Sequence, residues 1–300
     1  MKVFSKLFFP LFTFYPDTKS FPMIGIFDSG IGGMTVARAV EQLLPDYSIV
    51  YFGDIARTPY GSKSAATITD YSLRNTEFLL QKGAEVIIIA CNTASSVATE
   101  ALRREFQVPI IEVITPAATK AIATTKTGRI GVIGTRATIR SGVYEQTICG
   151  QRPDFHVFSE ACPLLVPLVE EGWTNKQETK MILRRYLHPL KDKQIDTLVL
   201  GCTHYPLLTK LIQTRVGKRV TLIDSSVETA EYVRDLLTEQ PQAMDGQVSL
   251  APGMDKERPQ LVTKEEQGTA THRYYVSDLT DSAQTVARKI FARPLELILT

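Results

Sequence analysis

Val86-Ile87-Ile88-Ile89-Ala90-Cys91-Asn92-Thr93-Ala94-Ser95-Ser96 begins with four consecutive β-branched residues and then turns small and polar. An apolar run of this kind reads as a strand of a parallel sheet, buried on both faces. The strand is placed at 86–90, and Asn92, Thr93 and Ser95 can each cap the helix that follows at 94–106. Cys91 then sits at the carboxyl end of a strand and beside a helix N-terminus, where open α/β sheets bind ligands. Unpaired N–H groups at such a place favour a thiolate. A small cysteine packed beneath a loop would satisfy the same pattern.

Thr197-Leu198-Val199-Leu200-Gly201-Cys202-Thr203-His204-Tyr205-Pro206 repeats the order of strand, small residue, cysteine, polar residues and helix start. Each block is also preceded by a related one. Ile24-Gly25-Ile26-Phe27-Asp28-Ser29-Gly30 resembles Ile130-Gly131-Val132-Ile133-Gly134-Thr135-Arg136. Ile24 and Ile130 lie 106 residues apart, and Cys91 and Cys202 lie 111 apart. Two related α/β halves, each delivering one cysteine at a strand end, account for both spacings.

The chain has 300 residues, enough for one large domain or two smaller ones. Its 44% hydrophobic and 22% charged content is that of an ordinary globular protein. A net charge of +2 gives no electrostatic case for nucleic acid or an anionic membrane surface. Four cysteines, with no Cys-x-x-Cys pair and only four scattered histidines, make neither a disulfide scaffold nor a zinc site. No metal is expected, and a reducing, cytoplasmic compartment is. Residues 1–22 stand apart. Lys2 and Lys6 precede an apolar run that superficially resembles a signal peptide, but Pro10 interrupts it and no small-x-small cleavage site follows. The expectation is an extension with little fixed structure; a membrane-touching or partner-binding segment, and a true secretion signal, are the alternatives. No stretch is long enough to span a bilayer.

From Met23 onward, strands are expected at 24–27, 48–52, 86–90, 109–113, 130–133, 155–158, 197–200, 219–223 and 272–276. Helices are expected at 34–44, 65–82, 94–106, 116–124, 138–149, 163–171, 175–191, 206–215, 227–238 and 280–292, with a polar loop over 241–268. This alternation implies βαβ units and a mostly parallel sheet.

Phe27-Asp28-Ser29-Gly30-Ile31-Gly32-Gly33 is glycine-rich between strand and helix, yet it has neither the dinucleotide fingerprint nor the P-loop lysine. Asp28 would repel phosphate there. It suits a substrate ammonium, with loop N–H groups left for a carboxylate, or else it only caps the helix. In the connection that runs from Phe52-Gly53-Asp54 to Pro59-Tyr60-Gly61, Tyr60 either lines a pocket or covers the core. Thr135 and Thr138, in the matching loop of the second half, bond a ligand carboxylate or cap a helix. Cys202-Thr203-His204 allows a Cys–His nucleophile pair, but that reading leaves Cys91 idle. Two thiols facing one cleft suit instead a matched acid and base, removing a proton from one face of a carbon and returning one to the other.

These blocks, with Ala90-Cys91-Asn92-Thr93-Ala94, Gly201-Cys202-Thr203-His204-Tyr205-Pro206-Leu207-Leu208 and Ala161-Cys162-Pro163-Leu164-Leu165-Val166-Pro167-Leu168-Val169-Glu170-Glu171-Gly172, resemble the glutamate racemases of the aspartate/glutamate racemase superfamily. The likeness runs from about Met23 to the C-terminus. It implies two pseudo-symmetric α/β domains with mostly parallel sheets and an active site in the cleft between them. Residues 23–114 plus 227–300 would form the first, discontinuous domain and 115–226 the second. It also implies a cofactor-independent isomerase that converts L-glutamate to D-glutamate for peptidoglycan. Carried over by motif, Cys91 would serve the D-enantiomer and Cys202 the L-enantiomer. Asp28 and His204 would assist their nearer thiols, as would Glu170, with Glu171 as its rival. Asp28, Ser29, Tyr60, Gly61, Asn92, Thr93, Thr203 and His204 would surround the substrate. Cys149 and Cys162 have no strand-end setting and are read as structural. The only partner expected is glutamate, and the assembly stays open between monomer and homodimer. An aspartate or other amino acid racemase, or a silent dicarboxylate-binding protein, would share most of these features.

Overall fold

The computed structural model describes residues 21–238 and 270–300. The expectations for the first twenty residues and for the 241–268 loop lie outside the described residues. The chain runs through β1 (Ile24–Asp28), α1 (Met34–Leu43), β2 (Ile49–Gly53), α2 (Ala65–Gln81), β3 (Val86–Ile89), α3 (Asn92–Glu105), β4 (Ile110–Glu112) and α4 (Ile114–Thr124). It continues with β5 (Arg129–Gly134), α5 (Arg136–Ser141), α6 (Val143–Gln151), β6 (His156–Ala161), α7 (Leu165–Glu170), α8 (Gln177–Asp192), β7 (Thr197–Gly201), α9 (Thr209–Val216) and β8 (Thr221–Asp224). The last elements are α10 (Ser225–Thr238), β9 (His272–Val276), α11 (Asp281–Phe291) and β10 (Leu297–Leu299).

Two sheets result, ordered β10-β9-β2-β1-β3-β4 and β6-β5-β7-β8, and every paired strand is parallel. Within the first lies the order second-first-third-fourth, and the second sheet has that same order in its own four strands. The repetition read from sequence is therefore a repetition of topology. Cys91 and Cys202 both follow the third strand of their unit.

Parallel strands carry helices on both faces, so their side chains need no polar alternation. In the first sheet Ile24, Ile26, Ile49, Tyr51, Val86 and Ile88 face one layer, which α1, α10 and α11 cover. Phe27, Val50, Phe52, Ile87 and Ile89 face the other, under α2 and α3. The second sheet divides likewise, with Ile133, Leu198 and Leu200 toward α7, α8 and α9, and Ile130, Val132 and Val199 toward α4 and α6. After β8 the chain returns to the first sheet: Ala230 and Val233 of α10 join that core, and β9 pairs with β2.

Three expectations change. The helix at 138–149 is two, because Gly142 adopts φ +67° and breaks the α-helical ladder between α5 and α6. The helix at 206–215 opens as a 3₁₀ turn over Tyr205–Leu208 before α9 starts. Beside Cys91, neither Asn92, Thr93 nor Ser95 is the cap. Cys91 is the cap itself, its Sγ accepting the Ala94 N–H at 3.5 Å, so the helix starts earlier and the three polar residues lie within its first turn. The short edge strand β10 was not foreseen. No helix among the described residues is long and apolar enough to cross a membrane.

Candidate active site

The loops after β1, β2, β3, β5 and β7 converge on one cavity, as the carboxyl ends of parallel strands do. It holds about 310 Å³ outside the protein atoms, open solvent at its mouth included. Ser29, Tyr60, Gly61, Cys91, Asn92 and Thr93 line it from the first half, and Thr135, Cys202, Thr203 and His204 from the second. Both candidate thiols thus face one space. Asp28, Thr138 and Glu170 stand one side chain behind the wall.

The glycines of the β1 loop allow this convergence. A Cβ at Gly32 would lie 2.4 Å from His204 Nδ1 and 2.6 Å from Thr203 Oγ1, so only a glycine lets the loop meet the Cys202 segment. Across the cavity, the Thr93 hydroxyl meets Thr135 at 2.8 Å and Thr138 at 3.3 Å. Thr135 also caps α5. Of the two threonine roles considered from sequence, the helix cap is the one seen for Thr135, and the same residue lines the cavity.

Around Cys202 the chemistry is a relay. His204 Nδ1 lies 3.9 Å from the sulfur, and its Nε2 lies 3.2 Å from Glu170 Oε1. Burial disfavours an imidazolium, but the hydrogen bonds and negative charge of Cys202 and Glu170 outweigh it and lift the His204 pKa to about 10. Glu170, not the exposed Glu171, makes this contact.

Cys91 stands in a different setting. Its thiol donates to Ser29 Oγ at 3.4 Å. The sequence expectation of a thiol tuned toward neutrality is reversed here. Burial, and then the negative charge of Asp28, push its pKa up to about 12, against the hydrogen bonds of Ser29 and the Ala94 N–H. Asp28 is fully buried, and Oδ2 accepts the N–H groups of Gly30 and Gly33 at 3.1 and 3.0 Å. Two loop donors expected to meet a substrate carboxylate are therefore spent on Asp28. Its other oxygen accepts Thr203 Oγ1 at 3.4 Å, and burial raises its pKa although His204 opposes that.

Tyr60 borders the cavity but turns its hydroxyl away, donating to Asp54 Oδ2 at 2.5 Å and accepting from Asn75 at 3.1 Å. Asp54 also receives Arg57 and Ser277. It anchors the whole Tyr60 loop, a role that the Gly53-Asp54 block did not reveal. Also missed was Thr58, a wall residue whose buried Oγ1 has no hydrogen-bond partner among the described residues. Cys162 is wholly buried in the second core and Cys149 is half-buried against the Phe155 carbonyl, both away from the cavity. All four thiols are free. No three His, Cys, Asp or Glu side chains among the described residues converge as a metal site requires.

The family model for Asp/Glu/hydantoin racemases matches residues 34–233. A glutamate racemase of Geobacter metallireducens is 45% identical over 256 residues, covering 85% of this chain and 87% of its own. The chain belongs to this family, among its glutamate racemases. Its backbone agrees: glutamate racemase isoform RacE1 of Bacillus anthracis superposes with a TM-score of 0.80 at 34% identity, covering 94% of this chain and 98% of that one. The Francisella tularensis glutamate racemase, solved with D-glutamate, gives 0.78 at 32% identity, over 92% and 96% of the two chains. The family is one of racemases, and this chain is an enzyme of that kind, an isomerase.

Proposed function

We propose that this enzyme racemises glutamate by proton transfer at Cα between Cys91 and Cys202, without a cofactor. The observation that carries the reading is that two thiols, each following the third strand of a repeated unit, face one cavity. A thiolate on one face takes the Cα proton, and the C–H electron pair stays on carbon. The opposite thiol then gives its proton to the other face, and turnover exchanges the two protonation states. Cys91, held protonated by burial, suits the acid; an imidazolium 3.9 Å from Cys202 offers a counter-charge to a thiolate there. L-Glutamate then meets Cys202 as base, in accord with the resemblance. Asn92, Thr93 and Thr203 are donors placed to hold the α-carboxylate while charge builds on Cα. Asp28 acts from behind the wall, ordering the β1 loop and Thr203.

The glutamate racemases among its relatives support glutamate over aspartate, and D-glutamate for peptidoglycan as the purpose. The need for two reduced thiols supports a cytosolic setting. The domain division proposed is 23–114 with 227–300 against 115–226, with the cavity in the cleft between the two.

Circular dichroism of L- and D-glutamate, with aspartate alongside, tests the reading. Cys91→Ser and Cys202→Ser should each lower kcat at least a hundredfold, about 2.7 kcal/mol of barrier, in folded protein. Either variant keeping more than a tenth of the wild-type kcat overturns the two-thiol mechanism. A preference for aspartate overturns the substrate.

A further inference from the structure

Tyr144 belongs to α6 and is buried, yet it does not line the cavity. It touches the immediate neighbours of both thiols. Its ring packs over Gly201, where a Cβ would come within 3.1 Å of Tyr144 Cε2, and Gly201 directly precedes Cys202. Its hydroxyl donates to Asn92 Oδ1 at 2.6 Å, and Asn92 directly follows Cys91. A second route closes the loop. Asn92 Nδ2 donates to Ser225 Oγ at 3.4 Å, and Ser225 Oγ to the Leu200 carbonyl at 3.2 Å, on the strand that carries Cys202.

We infer that Tyr144 is a positioning residue that sets the spacing of the two thiols and the direction of the Asn92 carboxamide. The inference rests on the racemase reading above. The Tyr144 phenol, held protonated by burial, donates to the carboxamide oxygen, and the NH₂ group turns the other way, toward Ser225. Without that bond the carboxamide is free to flip, presenting an acceptor where a substrate carboxylate needs a donor. The ring acts as a strut between halves that carry the two reacting sulfurs, and a misplacement of about 1 Å in such a geometry costs on the order of a hundredfold in rate.

The consequence is specific to a two-base reaction. One thiolate can still break the C–H bond, forming S–H and leaving the electron pair on carbon. If the second thiol is out of place, the first has time to exchange its proton with solvent and return a deuteron to the face it came from. Exchange without inversion then rises relative to racemisation.

The test is Tyr144→Phe, which removes one oxygen, assayed in D₂O with each glutamate enantiomer. Circular dichroism gives the racemisation rate, and NMR gives Cα deuterium in unconverted substrate. The expected result is a kcat lowered roughly 10- to 100-fold, with the ratio of exchange to racemisation raised several-fold. A merely structural residue would lower both rates together and leave that ratio alone. An unchanged kcat or an unchanged ratio overturns the assignment. If Tyr144→Phe does not fold, Asn92→Ala breaks the same bond from the other side and must raise the same ratio; failure to do so overturns it equally. A wild-type chain inert toward glutamate would remove the racemase reading and this assignment with it. An active wild type beside an indifferent Tyr144→Phe removes this assignment alone.

Discussion

Glu170→Gln keeps the shape of the group facing His204 and removes its charge. The bond it weakens spans 3.2 Å, between a side chain 3% exposed and one 25% exposed. A hydrogen bond to a charged group contributes about 1.5–3 kcal/mol. At 1.36 kcal/mol for each pKa unit, that is roughly one to two units. The His204 pKa should therefore fall from about 10 to roughly 8–9. The sign for stability follows. A pKa raised from 6.5 to about 10 stabilises the fold fully below pH 6.5, and that stabilisation is lost as pH rises to 10. The variant should accordingly be less stable than wild type by about 1.5–3 kcal/mol near pH 6, and the gap should close near pH 10. NMR titration of the His204 imidazole and urea unfolding at both pH values measure the two effects. A His204 titration that does not move, or a stability gap equal at both pH values, would refute the relay as drawn.

Gly32→Ala would place a Cβ 2.4 Å from His204 Nδ1, and overpacking of this kind costs about 1–3 kcal/mol. Loss of activity with a lowered melting temperature is expected; a variant as stable and active as wild type would mean that the loops do not meet so closely. Cys149→Ser and Cys162→Ser should both keep their kcat. The second should lose about 1–3 kcal/mol for a hydroxyl in a fully buried place, read by urea unfolding, and inactivity in folded protein would refute the structural role.

The order of strands and helices was legible because it is written in local pattern. The β-branched run 86–89 and the apolar run 197–200 could hardly be anything but buried strands, and each puts its cysteine at a strand end. What escaped was set by tertiary partners. Cys91 caps α3 only because its sulfur finds the Ala94 N–H, and sulfur is not among the side chains that helix-start patterns look for. The break at Gly142 is a backbone choice that a helical hydrophobic pattern conceals. His204 and Glu170 lie 34 positions apart, and only resemblance paired them. Tyr144 and Asn92, 52 apart, had no signal at all. The expected drop in thiol pKa failed for a quantitative reason: burial of the sulfur outweighed the helix N-terminus that the sequence made visible.

The repeated strand order has a stereochemical consequence. Two units built from L-residues, brought face to face, are related by a rotation and never by a reflection. The substrates, however, are mirror images. A rotation can exchange the two proton positions, one on each face of Cα, but it also carries the three remaining substituents into new places. At most one of them can lie on the axis and stay put. A strictly two-fold site would therefore give its two off-axis substituents identical surroundings, although ammonium, carboxylate and side chain each need different ones. The unequal surroundings of the two thiols would resolve this conflict: His204, backed by Glu170, stands on one side and Ser29, backed by Asp28, on the other, with the Thr93–Thr135–Thr138 hydroxyls between the halves. On the proposed two-thiol mechanism, symmetry would place the sulfurs, and its absence everywhere else would let one fixed set of contacts hold both hands of the same molecule.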